Sequence, residues 1–154
     1  MTTPPKKKPR TGNARSAARL AAVQALYQRE MAGVTVPKLL TEFHNHRLGA
    51  TIGDDEYRAA DTVFFDDVVA GVAARSGEID ALIVANLAPG WALDRLDRPL
   101  RQLLRAGVYE LIARLDVPTA AVIDEYVDVA HAFYEAKEAG FVNGLLDAVA
   151  KASR

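Results

Sequence analysis

Apolar residues recur along this chain at steps of three and four almost from end to end, the spacing that gives a helix one water-avoiding face. From about Ala14, the residues Leu20, Val23, Leu26, Tyr27 and Met31 trace a first stripe, and Gly33 is placed to close it. Leu39, Leu40 and Phe43 predict a short second helix entered through Pro37. Residues 45–60 mix Gly, Asn, Asp and Arg without a period and read as loop. Asp61 is a candidate N-cap for a long segment carrying Val63, Phe64, Phe65, Val68, Val69 and Val72. Ile79, Leu82, Ile83 and Leu87 resume that stripe beyond Ser76-Gly77, a plausible break, and Pro89-Gly90 ends it.

A short piece around Trp91–Leu96 leads to Pro99, well suited to a helix's first turn. The next stripe is the most regular: Leu100, Leu103, Leu104, Gly107, Val108, Leu111, Ile112 and Leu115. Asp116-Val117-Pro118 separates it from Val122, Ile123, Tyr126, Val127, Ala130, Phe133 and Tyr134. After Gly140 a last helix carries Phe141, Val142, Leu145, Leu146 and Val149. No segment sustains a period of two, and no heptad persists for three or four turns. The expected fold is all-α, a compact bundle of about seven helices.

The chain has 154 residues and no cysteine, which fits one domain of residues 14–154 behind a Lys/Pro/Thr-rich flexible arm at 1–13. Without cysteine there is no disulfide framework and no thiolate chemistry. No run reaches the ~18 apolar residues of a membrane span, and residues 1–13 lack a signal-peptide core, so a cytoplasmic location without membrane contact is expected.

The net charge of −1 hides an asymmetry. Lys6, Lys7, Lys8, Arg10, Arg15, Arg19 and Arg29 fall within the first 29 residues, with no acidic residue among them. The rest of the chain therefore carries 12 basic against 20 acidic residues, a net of −8. A basic arm on an acidic body points to a polyanion partner; the competing reading is a solubilising tail.

Catalytic signatures are absent: no Gly-rich phosphate loop, no HExxH, no GxSxG and no dinucleotide fingerprint. His44 and His46, two apart, point to different sides of a helix and serve a metal poorly. His131 reads as a surface histidine, and Asp66-Asp67 and Asp124-Glu125 read as solvated faces. Trp91 reads as a core plug. No enzyme, metal or cofactor is expected. Arg15 and Arg19 extend the stripe of Val23 and Leu26, and burying two unpaired guanidinium groups would be prohibitive. They are therefore expected to run past the edge of the bundle.

The segments Ala21-Ala22-Val23-Gln24-Ala25-Leu26-Tyr27, Phe65-Asp66-Asp67-Val68-Val69-Ala70-Gly71-Val72, Tyr109-Glu110-Leu111 with Asp116-Val117-Pro118, Glu125, and Phe141-Val142-Asn143-Gly144-Leu145-Leu146-Asp147 stand in an order that resembles the NusB family of transcription antitermination factors. The resemblance covers about residues 14 to 152. It implies two small helical subdomains packed together, binding of single-stranded boxA-type RNA with NusE, a small-subunit ribosomal protein, and association with the RNA polymerase antitermination complex, chiefly in ribosomal RNA synthesis. Homodimers, which some members form, stay open.

Carried over on this resemblance, the RNA-contacting candidates are Arg15, Arg19, Gln24, Lys137, Phe141 and Asn143, with Lys6, Lys7, Lys8 and Arg10 of the arm. Tyr27, Leu100, Arg101 and Arg105 are the candidates for the NusE surface, although Arg98, Leu100 and Arg101 stand where the family often offers an acidic contact. The residues agree in kind: aromatics stack unpaired bases, cations hold phosphates, and a helix start offers free N–H groups. That reading expects Arg15, Arg19 and Phe141 in one continuous groove. Two alternatives remain, a protein-only helical module and a regulatory subunit of a ribosomal RNA methyltransferase; the absence of a following catalytic domain favours the free-standing factor.

Overall fold

A computed structural model describes residues 11–45 and 61–154, with side chains from Ala14 onward. Lys6, Lys7, Lys8, Arg10 and His46 lie outside the described residues, as does most of the expected 45–60 loop. Seven α-helices and no strand occur among those described: α1 (Thr11–Ala32), α2 (Val36–Phe43), α3 (Thr62–Ala74), α4 (Ser76–Ala85), α5 (Arg98–Ala113), α6 (Thr119–Phe133) and α7 (Ala136–Ser153). The all-α expectation holds.

Local chemistry explains most of the boundaries. Gly33 closes α1 in the left-handed conformation at φ +67°, its N–H donating to the Arg29 carbonyl at 2.8 Å. Gly90, at φ +88°, turns the chain between α4 and a single 3₁₀ turn at Leu93–Arg95. Proline opens α2 and α5. The α3–α4 break falls at Arg75, one residue before the expected Ser76-Gly77. Asp61 occupies the N-cap position of α3, but its carboxylate makes no capping hydrogen bond.

Helix α5 is the centre. It packs against α1, α3, α4, α6 and α7, and ten of its residues are buried. Small side chains on α1 (Ala18, Ala22 and Ala25) lie in the core beside Val23 and Leu26 and let that helix sit close to α3 and α5. Helices α6 and α7 pair with each other and with α5. All these contacts join into one apolar cluster that includes Phe43 stacked on Phe65 at 5.5 Å. The far end of α5 is tied to α7 by Arg154, whose guanidinium donates to the carbonyls of Leu111 at 2.8 Å, Val117 at 2.9 Å and Arg114 at 3.0 Å. Cations suit the carbonyl end of a helix.

Several expectations about single residues are corrected. Leu115 is exposed because α5 ends at Ala113, before the stripe reaches it. Trp91 is no core plug: 57% of its surface is exposed. Asp66 and Asp67 are not simply a solvated face. Asp66 bonds His44 Nε2 at 2.6 Å, while Asp67 accepts from the Tyr109 hydroxyl at 2.7 Å and from Arg114 at 3.1 Å. His131 is exposed, as expected of a surface histidine.

Candidate nucleic-acid interface

Two places on this scaffold bring candidate residues to the surface, and α5 separates them. At its C-terminal end, the Phe64 ring carries three guanidinium groups: Arg15 at 4.6 Å, Arg19 at 4.9 Å and Arg114 at 5.1 Å from the centroid. Such contacts attract a cation to the negative ring face. Three cations on one ring are tolerable because carboxylates surround them. Arg114 pairs with Asp67 and Asp116, both at 3.1 Å.

Arg19 does not face open space. It is 3% exposed, and Glu110 beneath it is fully buried. Arg19 Nε donates to Glu110 Oε2 at 2.8 Å, Nη2 to Oε1 at 2.9 Å, and Nη1 to Glu125 Oε1 at 2.6 Å. Ser16 Oγ and the Tyr126 hydroxyl complete the cluster, donating to Glu125 Oε1 and Glu110 Oε2 at 2.5 Å each. Burial alone would lower the Arg19 pKa; the bonds and charge of Glu110 more than reverse this and hold it above its ordinary value. Arg19 is thus a tie between α1, α5 and α6, and Glu125 is its partner rather than part of a solvated face. Arg15, one turn earlier, is part-exposed and reaches the surface here, as does Arg114.

The second place lies at the N-terminal end of α5. Phe141 and Lys137, four apart on α7, share a face and line a groove of about 270 Å³ with Trp91, Arg95, Leu100 and Tyr134. Phe141 is half-buried and meets Trp91 with ring centroids 6.5 Å apart. The Tyr134 hydroxyl donates to Asp97, and burial together with that carboxylate raises its pKa. Helix α7 starts at Ala136 rather than after Gly140, so its unpaired N–H groups stand beside Lys137, and Phe141 sits in the second turn.

Among the described residues, the groove that Phe141 lines includes neither Arg15 nor Arg19. Leu100 marks the Phe141 end of α5 and Glu110 the Arg19 end, ten residues or about 15 Å apart along the axis. Asn143 is exposed but turned about 200° from Phe141 on α7. Gln24 is exposed about half a turn round α1 from Arg15 and shares a stripe with Tyr27 and Met31.

Of the four candidates for a protein partner, only Tyr27 is clearly accessible. Leu100 is buried. Arg105 forms a forked bond with Asp80, at 2.8 and 3.1 Å, and Arg101 reaches Glu30 at 3.5 Å. These arginines lock α5 to α4 and to the end of α1. What the sequence pattern missed is Met31, half-exposed beside Tyr27 and touched by Arg98, and the Trp91 wall of the groove.

Seven helices with α5 at their centre, and a polar tie from α1 to α5 and α6, define a small helical domain with cation and aromatic surfaces and no catalytic constellation among the described residues. The sequence profile of the NusB family matches residues 16–151, and the chain belongs to that family. Transcription antitermination protein NusB of Novosphingobium aromaticivorans is 67% identical over 141 residues, covering 92% of this chain and 95% of that protein. The protein of the same name from Sphingopyxis alaskensis is 64% identical over 137 residues, covering 89% and 92%. Among solved structures, T. maritima NusB superposes with a TM-score of 0.74 at 30% identity, over 98% of this chain and 93% of that one. A chain from a crystal structure of antitermination factors NusB and NusE in complex with dsRNA gives 0.75 at 29% identity, over 90% and 97%. No described helix is long and apolar enough to cross a membrane.

Proposed function

We propose that this protein is a non-enzymatic transcription antitermination factor that binds single-stranded boxA-type RNA together with NusE and joins the RNA polymerase antitermination complex in the cytoplasm, chiefly during ribosomal RNA synthesis. The observation that carries the RNA reading is Phe141, half-buried at a groove and left accessible beside Lys137, a cation with no ion pair among the described residues. Family membership over nearly the whole chain, and a solved relative in complex with NusE and dsRNA, support RNA and NusE as the partners.

The geometry refines the contacts. Arg15 and the arm residues Lys6, Lys7, Lys8 and Arg10 serve phosphates at one end of α5, and Lys137 and Phe141 engage the strand at the other. Arg19 acts through the position of α1, not on RNA directly. Gln24 joins Tyr27 and Met31 on the stripe that meets NusE, while Arg101 and Arg105 support that surface from below. Asn143 contacts RNA only if the strand wraps to a second face of α7.

The test is a titration of a labelled boxA-type RNA, with and without NusE, against a scrambled RNA. Affinity is expected to exceed that for the scrambled RNA and to fall with salt by roughly 0.7 log unit per log unit for each phosphate neutralised. Arg15→Glu and Lys137→Glu should each weaken it with helicity intact. Binding of NusE with no RNA binding at low salt would instead select a protein-only module, a reading the exposed Gln24–Tyr27–Met31 stripe favours.

A further inference from the structure

We infer that the groove between Trp91 and α7 is a pocket for one unstacked RNA base bearing an exocyclic amino group, with Trp91 as its stacking wall. The inference rests on the RNA reading above and adds to it a residue and a base class.

Trp91 is a large apolar side chain, 57% exposed, held at the surface by the Gly90 turn. Leaving that area in water has a reason if something covers it during function. Its ring and that of Phe141 stand 6.5 Å apart, inclined by 32°. Flat rings stack at ~3.5–4.0 Å, so a base inserted between the two would need about 7–8 Å. The pair is too close for that. It forms one tilted aromatic floor, on which a base stacks over the open Trp91 face with its edge toward Phe141. The volume, about 270 Å³, lies just below the ~300–1,000 Å³ typical of drug-sized ligands and suits a single planar ring system.

The rim supplies the rest of a nucleotide's chemistry. Lys137 and Arg95 are exposed and make no ion pair among the described residues, so both can hold the flanking phosphates. Two carboxylates also line the groove. Asp97 already accepts the Tyr134 hydroxyl, whereas Glu138 makes no ion pair among the described residues and is available to accept an amino hydrogen. Carboxylates read exocyclic amines in this way, whereas uracil offers them only a ring N3–H set between two carbonyl oxygens that they repel. Adenine, cytosine and guanine therefore suit the rim better than uracil.

Trp91 is the only tryptophan in the chain, so its emission reports directly on the pocket. A boxA-type RNA is titrated at low salt, following end-label anisotropy for binding and tryptophan emission for stacking. Saturation is expected to quench Trp91. Trp91→Ala should lower affinity on the order of tenfold or more with helicity unchanged, and Trp91→Phe should restore most of it. Replacing the amino-bearing bases of the probe by uracil, one at a time, should abolish the quench at one position. Unchanged affinity in Trp91→Ala with unmoved emission in the parent would overturn the pocket and leave the RNA reading standing. Quenching indifferent to every uracil replacement would overturn the base class. Loss of NusE affinity alone in Trp91→Ala would assign the groove to a protein and overturn the proposal. No anisotropy change with the parent chain, whether NusE is present or absent, would bring down the functional reading itself, and the pocket with it.

Discussion

Arg19 of α1 and Glu110 of α5 are joined by two parallel hydrogen bonds, 2.8 and 2.9 Å long, with both side chains shut away from water. The fork geometry of the guanidinium matches the carboxylate, and Glu125 and Tyr126 satisfy the remaining groups. Removing one partner of such a pair leaves the other charge buried and alone. Arg19→Ala should therefore destabilise the fold by about 3–5 kcal/mol. Arg19→Lys should recover little, since an ammonium cannot fork. Arg15→Ala, at a part-exposed position, should cost at most about 1 kcal/mol. Urea unfolding of the three variants checks the order; equal midpoints for Arg19→Ala and Arg15→Ala would refute it.

Helix α3 touches α5 through a missing side chain. A Cβ built on Gly71 falls inside van der Waals contact of the Tyr109 ring, so the ring lies where any other residue would stand. Tyr109 cannot swing aside, because its hydroxyl is held by Asp67 at 2.7 Å. At Gly107 the same construction meets the methyl ends of Leu146 at 3.0 Å, which can give way, and the Tyr126 ring at 3.4 Å, an ordinary contact distance. Gly71→Ala should cost about 1–3 kcal/mol or more, and Gly107→Ala clearly less. Thermal unfolding distinguishes them.

Much of this arrangement is legible in the sequence because its cause is local. The stripes of α5 and α6, the turn glycines Gly33 and Gly90, and the prolines that open α2 and α5 each act within a few residues. The misreadings share a different cause. Arg19 reads as an unpaired cation on an apolar stripe, while its partners lie 91 and 106 residues away. The clue is present, since Glu110 also sits on a buried stripe, but one helix alone cannot show that two buried charges meet. Leu115 continues the period of α5 past the point where the helix ends. Gly140 suggests a helix start, yet α7 carries it inside, exposed and with nothing near its missing side chain. Trp91 lies between a turn and a 3₁₀ piece, where no period assigns a face. The pairing of the two aromatic walls is a tertiary fact that spacing cannot supply.

Alkaline pH should expose the Tyr109–Asp67 bond. Burial first, and then its bond to the Asp67 carboxylate, push the Tyr109 hydroxyl up to about 12 from its ordinary 10.0. The folded state therefore holds this proton more tightly than the unfolded chain does. The stabilisation it gives is fully present below pH ~10 and is lost as the pH climbs through about 12. Tyr109→Phe removes the titrating group, so its stability should fall less steeply than the parent's over that interval, though it starts lower at neutral pH. Urea midpoints measured from neutral pH upward test this; parallel curves would contradict it.

The separation of Arg15 from Lys137 sets a condition on how RNA is held. Glu110 and Leu100, which mark their two ends of α5, are about 15 Å apart along the axis. Groups so far apart that share no partner lose binding energy independently, to within ~0.3–0.5 kcal/mol. Arg15→Glu and Lys137→Glu should therefore weaken RNA binding additively in the double variant, and each should lower the salt slope by about 0.7 for every phosphate it leaves without a cation. Shortening the RNA from one end should then make it indifferent to one substitution while it still feels the other. An RNA that spans both ends explains that pattern. If every truncation leaves both substitutions equally harmful, the strand does not run between these ends, and the two cations act through a shared general field instead.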